Sequence, residues 1–239
     1  MKKMIILLLL ALLSFALMGG AEEILEAEVT EAEMPEAPVD LGFGFLAGFL
    51  PLDLGPLNAI LGNEGHPELP ERLMVFGSFS NLWDDVPMSI GSIMLQGTVA
   101  ASTDERKSSL TLNFWGGTGE YVRQFGNGSE LGIGAALGMG SVILQVRHRA
   151  ADDIFDLIAR PTLSRAYLTF WGGIPYLRMQ IHPLEWLRVE GVFGYLLAFS
   201  CPWTENGTVV EGLRPSFNAP FIAVRVSLSF PLPDELPAE

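Results

Sequence analysis

The 239-residue chain has one cysteine, Cys201, and three histidines. A single thiol excludes an intrachain disulfide framework and any zinc site built on cysteine. Basic residues are scarce: 14 Lys and Arg stand against 28 Asp and Glu, a formal charge of −14. A phosphate backbone rewards a basic surface, so nucleic acid is not the expected partner. Charged residues of both signs amount to 18%, below the roughly 25% of soluble globular chains. No GxSxG elbow, glycine-rich phosphate loop or HExxH pair occurs, so no motif supports catalysis or a cofactor. What the chain holds instead is 49% hydrophobic residues, 26 glycines and 15 phenylalanines.

Lys2 and Lys3, the apolar run from Met4 to Met18 and the small trio Gly19-Gly20-Ala21 read as a secretory signal over residues 1–21. The run is too short for a bilayer span, which takes about 20 residues. Cleavage after Ala21 removes two lysines, takes the charge from −14 to −16 and leaves Lys107 as the last lysine. Residues 22–40 carry eight acids, no base, Pro35 and Pro38. Such a stretch buries too little apolar surface to offset its ordering entropy and is expected to be a solvated extension.

From residue 41 to 230 the period is two. Phe43, Phe45, Ala47 and Phe49 alternate with glycines and Leu46; Leu131, Ile133, Ala135, Leu137 and Met139 alternate with Gly132, Gly134, Ala136, Gly138 and Gly140. Leu187 to Phe199 and Val224 to Phe230 repeat the pattern. Alternate residues of a strand share a face, so these segments are strands. A helical reading of the 16 uncharged residues 131–146 fails, because at about 3.6 residues per turn the glycines scatter round the axis.

The apolar parity inverts at three glycine sites. Leu110, Leu112 and Phe114 precede Gly116-Gly117; Ala166, Leu168 and Phe170 precede Gly172-Gly173; Val142, Leu144 and Val146 follow Gly140. Each inversion marks either a bulge in one long strand or a turn between two short ones. Bulges give eight strands, with longer connections at 51–71, 101–107, 149–163 and 200–216 and shorter ones at 81–87, 126–129 and 182–185. Turns would raise the number to between 10 and 14. Asn127-Gly128 and Asn206-Gly207 read as hairpin turns before they read as glycosylation sequons.

The signal, the alternating strands, the loop asymmetry and the Val224–Phe230 pattern ending in an aromatic resemble small bacterial outer-membrane β-barrel proteins. The resemblance implies an all-β antiparallel barrel over 41–230, followed by a tail at 231–239, in the outer membrane. It also implies contact with outer-membrane lipid, and a C-terminal strand that the barrel assembly machinery recognises. Glycine fills a soluble core poorly, so the large apolar side chains are assigned to lipid: Phe193, Tyr195, Leu197, Val226, Leu228 and Phe230. Tyr121, Tyr167, Trp171, Tyr176 and Trp186 are candidates for interfacial girdles.

The opposite parity places Arg147, Arg178, Arg188, Glu190 and Arg225 in the lumen, beside Gln145, Gln180 and His182. Such a network either plugs a narrow barrel or lines a path for small, apolar or anionic solutes. Residues 54–64, centred on Leu57–Leu61, read as a short helix expected at the barrel mouth or in the lumen. Asp152, Asp153 and Asp156 read as a solvated loop, Cys201 as an incidental thiol, and His148 near those acids and Ser164 is too sparse a constellation for catalysis. The expected function is structural or surface display, or passage of small solutes. The alternative is a secreted soluble barrel that holds an apolar ligand.

Overall fold

The computed structural model describes residues 40–83, 88–125, 129–148, 163–184, 186–205, 208–209 and 216–231. The expected signal peptide lies outside them, as do residues 22–39 of the acidic extension, 232–239 of the tail and the 152–156 acids, while Asp40 and Pro231 belong to strands. Eight long strands form the wall: β1 (Asp40–Pro51), β2 (Arg72–Trp83), β3 (Met88–Ser102), β4 (Arg106–Phe125), β5 (Ser129–His148), β6 (Leu163–Leu184), β7 (Leu187–Ser200) and β10 (Ala219–Pro231). A helix, α1 (Gly55–Asn63), follows β1, and two short strands, β8 (Thr204–Glu205) and β9 (Thr208–Val209), follow β7. Each long strand pairs antiparallel with its chain neighbour, β10 pairs β1, and the ring is closed. The fold is an all-β, eight-stranded barrel, with β8 and β9 as a side ribbon on β6.

The ring is staggered. From Gly48 the pairing runs one way through Val75 and Gly97 to Leu112. The other way it runs through Ala223, Val192, Arg178 and Gly132 to Val122, ten residues further along β4. That stagger over eight strands tilts them by about 40° from the axis. A plane across the axis then passes near Trp115, Leu137, Tyr195, Ile222, Phe49, Phe76 and Met94. Below it, these strands run on for six to ten residues, or about 15–25 Å at this tilt. Above it, β1, β2 and β10 soon end, while the 20-residue β4 and β5 and the 22-residue β6 continue.

The glycine sites are neither bulges nor turns. Pairing of β4, β5 and β6 passes through Gly116, Gly138, Gly140 and Gly172 without a register shift, and the one irregularity of β6 lies between Ile181 and Leu184. Even-numbered residues of these strands face inward along their whole length. What changes is the chemistry. Above the plane the inward set is Leu110, Leu112, Phe114, Val142, Leu168 and Phe170, all buried. Below it the inward set is Thr118, Glu120, Glu130, Arg178 and Gln180. The outward set changes oppositely, from Thr111, Asn113, Ser141 and Thr169 above to Tyr121, Leu131, Leu177 and Met179 below.

One described connection departs from the expected plan. Residues 101–107 are not a long loop, because β3 and β4 extend upward and meet across Thr103–Glu105. The turn closes by Thr103 N–H to Arg106 O at 2.8 Å and Arg106 N–H to Thr103 Oγ1 at 3.1 Å. Helix α1 starts with Pro56 in its first turn and ends before Gly65, whose φ of +73° only glycine adopts without strain. Asn58 holds the returning chain by accepting from Leu69 N–H at 2.8 Å and donating to Leu69 O at 2.9 Å. Leu57, Leu61, Leu69, Leu52 and Leu54 join the same buried cluster as Val99, Leu110 and Phe114. The helix thus caps the apolar upper interior, where the barrel mouth was expected to hold it.

Gly140 lies opposite both Phe114 and Phe170, whose rings stack at 6.4 Å and 13°. A Cβ there would stand 2.1 Å from Phe170 Cζ and 2.6 Å from Asn113 O. Gly140→Val is expected to cost about 3 kcal/mol or more through overpacking, measured as a lowered urea midpoint of the detergent-folded protein. An unchanged midpoint would contradict this packing.

Candidate functional site in the lower lumen

The lower interior is built around one row of inward residues: Arg225 opposite Glu190, Glu190 opposite Gln180, Gln180 opposite Glu130, and Glu130 opposite Gln124. Arg178 stands next to the row on β6. Its guanidinium lies 3.0 Å from Glu120, 3.4 Å from Glu130 and 3.6 Å from Glu190, and it also donates to Gln180. Tyr176 O–H donates to Glu120 Oε2 at 3.1 Å. Arg225 lies 3.5 Å from Glu190 and sits between the rings of Phe79 and Tyr176, at 4.7 and 5.1 Å. Both arginines are about 1% exposed.

Glycine makes the room. A Cβ on Gly132 would sit 3.1 Å from Arg178 Nε, and one on Gly134 would sit 2.6 Å from Glu120 Cβ. The lower mouth is bordered by His182, whose ring bonds Gln180 and lies 4.0 Å from Glu130. Three carboxylates thus face two buried guanidinium groups, and the pairing offsets the desolvation of each. Among the described residues no group of three metal-ligating side chains converges. The arrangement can brace a barrel and fill its cross-section.

Of the residues assigned to the lumen, Arg178, Glu190 and Arg225 come together here. Arg188 faces inward, half-buried, near the lower end. Arg147 does not belong to the lumen. It shares its face with Ser141 and Ile143, because the inward parity of β5 never changes. Gln145 moves outward with it. Of the residues assigned to lipid, Phe193, Val226 and Leu228 are exposed on the outer wall and Tyr195 and Leu197 are half-exposed beside them. The side chain of Phe230 lies outside the described residues, as does that of His148. Tyr176 is no girdle residue, since it points into the ion cluster; Trp115, not singled out beforehand, is exposed in line with Trp171 through Met139. Glu120 and Glu130 were missed as partners. Extending the even parity of Leu110, Leu112 and Phe114 straight through Gly116 would have found Glu120.

The class these features define is a closed antiparallel barrel of eight strands with a filled interior, and the likeness to small outer-membrane barrels holds for that fold. No protein-family model matches the chain, and no curated protein matches it in sequence. Among solved structures it is similar to Ail, the attachment invasion locus protein of Yersinia pestis, at a TM-score of 0.49 and 9% identity, covering 82% of this chain and 100% of that one. It is also similar to Neisserial surface protein A, at a TM-score of 0.45 and 7% identity, with the same coverage.

Among the described residues Glu190 is the one carboxylate in an ion pair with both arginines. Glu190→Gln is expected to cost about 3 kcal/mol by leaving Arg225 without a countercharge, and adding Arg225→Met should return part of that loss. A double-mutant cycle on urea unfolding measures the coupling; strictly additive losses would mean that the pair is not coupled.

Proposed function

We propose that the protein is an integral outer-membrane barrel that carries a loop-capped β-platform above the bilayer for contact at the cell surface. The observation that carries this reading is the exchange of apolar side chains between the two faces at one level. A wall with Phe43, Phe45, Ile90, Leu137, Phe193 and Val224 outside and glycine and charge inside suits hydrocarbon. The same strands with leucine and phenylalanine inside and threonine, asparagine and serine outside suit water. The wall below the exchange is about 15–25 Å tall, reaching the roughly 25 Å apolar band of membrane barrels. Trp115 and Trp171 stand at the boundary, where aromatic side chains are favoured. Among the described outward positions below it no charge occurs until Arg123, beside Phe125 near the lower edge.

Solute passage is the weaker reading, because a solute would have to displace both Phe114 and Phe170 above and the Arg178 and Arg225 ion pairs below. The partners that follow are the surrounding lipid and the assembly machinery reading the C-terminal strand. A secreted soluble barrel would need the exposed belt, including the 79%-exposed Phe45, to face water.

Phe45→Arg, mid-belt, is expected to destabilise the liposome-folded protein by about 2–4 kcal/mol, whereas Thr111→Arg, above the belt, should change stability by less than about 0.5 kcal/mol. Equal effects at the two sites, or recovery of the wild type in the soluble periplasmic fraction, would overturn the membrane placement.

A further inference from the structure

The outward face of the projecting wall, from β3 to β6, carries an unusual charge set. Among the described residues, its polar side chains include Gln96, Thr98, Ser109, Thr111, Asn113, Ser141, Gln145 and Thr169, and its only ionic groups are Lys107, Arg147 and Arg165. Three cations and no acid occupy this face in a chain with twice as many acids as bases. Lys107 and Arg147 are direct cross-strand partners, and Arg165 is the partner of Gln145, one outward step from Arg147. Like charges directly opposite on neighbouring strands repel. Among the described residues none of the three forms an ion pair; Asp104 and Glu105 stand in the turn beyond them, beside Glu64 and Arg106. A sheet that accumulates cations in this way is poised for an external anion, with several phosphate oxygens able to bridge what repels in isolation.

We infer that Lys107, Arg147 and Arg165 form a binding face for the phosphorylated saccharide headgroups of glycolipid in the leaflet around the barrel. The inference rests on the membrane placement proposed above. Under that placement the three cations stand about 20 Å above the Trp115 level, at the height of sugars rather than acyl chains. They point sideways, parallel to the membrane, into the layer that neighbouring glycolipid headgroups occupy. The flanking serine, threonine, asparagine and glutamine side chains supply donors and acceptors for sugar hydroxyls.

The test uses the full-length protein folded in detergent, with purified lipopolysaccharide bearing a phosphorylated inner core as the probe. The triple variant Lys107→Ser, Arg147→Ser, Arg165→Ser changes only outward positions and should keep the heat-modifiable gel band of the wild type. Its affinity for the probe is expected to fall about tenfold or more, while chemically dephosphorylated probe should bind both proteins equally weakly. A folded triple variant that binds as tightly as the wild type overturns the inference. So does wild-type binding that is indifferent to dephosphorylation. Full displacement by millimolar inorganic pyrophosphate would assign the face to a free anion and overturn the glycolipid. Failure of the wild type to partition into membranes is read separately and counts against the membrane placement.

Discussion

The structure depends on ring closure. A strand edge facing hydrocarbon leaves N–H and C=O groups without partners, and only a sheet closed on itself removes every edge. Eight strands with a ten-residue stagger set the diameter, and the diameter sets how much the interior must hold. Too narrow for a water column beside large side chains, the barrel fills itself. It does so with a charged cluster in one half and an apolar one in the other.

On the membrane placement proposed above, the two fillings follow from the medium outside. A given strand has one inward and one outward residue set, and its apolar members must go where water is absent. Next to lipid they go outward, and the inward positions become glycine, threonine and paired charges. Above lipid they turn inward, and the sheet behaves as half of a soluble sandwich, covered by α1 and the Leu52–Leu69 loop. On that placement, the outward-apolar and inward-apolar forms of the alternation each describe one level of the same strands. At the crossover Gly140 leaves room for the stacked rings of Phe114 and Phe170, while Gly116 and Gly138 let the backbones of β4 and β5 lie close.

Buried charge stays affordable only through that geometry. Arg178, on β6, meets Glu120 from β4, Glu130 from β5 and Glu190 from β7, partners 58, 48 and 12 residues away in the chain. Each carboxylate is supplied by a different strand, so the cluster ties the wall together across four strands. In the low-dielectric interior a missing partner weighs more than the pair itself contributes. The cluster thus reports correct register: a slip of one residue would send its members to lipid.

Alternation is a local property, so the strands, their approximate ends, the even number and the short helix at Leu57–Leu61 were legible in the sequence. So was the inward direction of Arg178, Glu190 and Arg225, because each sits on a strand whose exposed parity is plain nearby. The parity inversions were legible as well, but their meaning was not. A bulge and a change of surrounding medium leave the same mark on a sequence, and only cross-strand register tells them apart. Arg147 was misplaced for that reason: its parity was counted from the inverted pattern, while the strand itself never turned. Which strands rise above the others, which carboxylates meet Arg178, and how Lys107, Arg147 and Arg165 come to share a face were decided by closure and stagger. Those are properties of the whole ring, and no local stretch of the chain carries them.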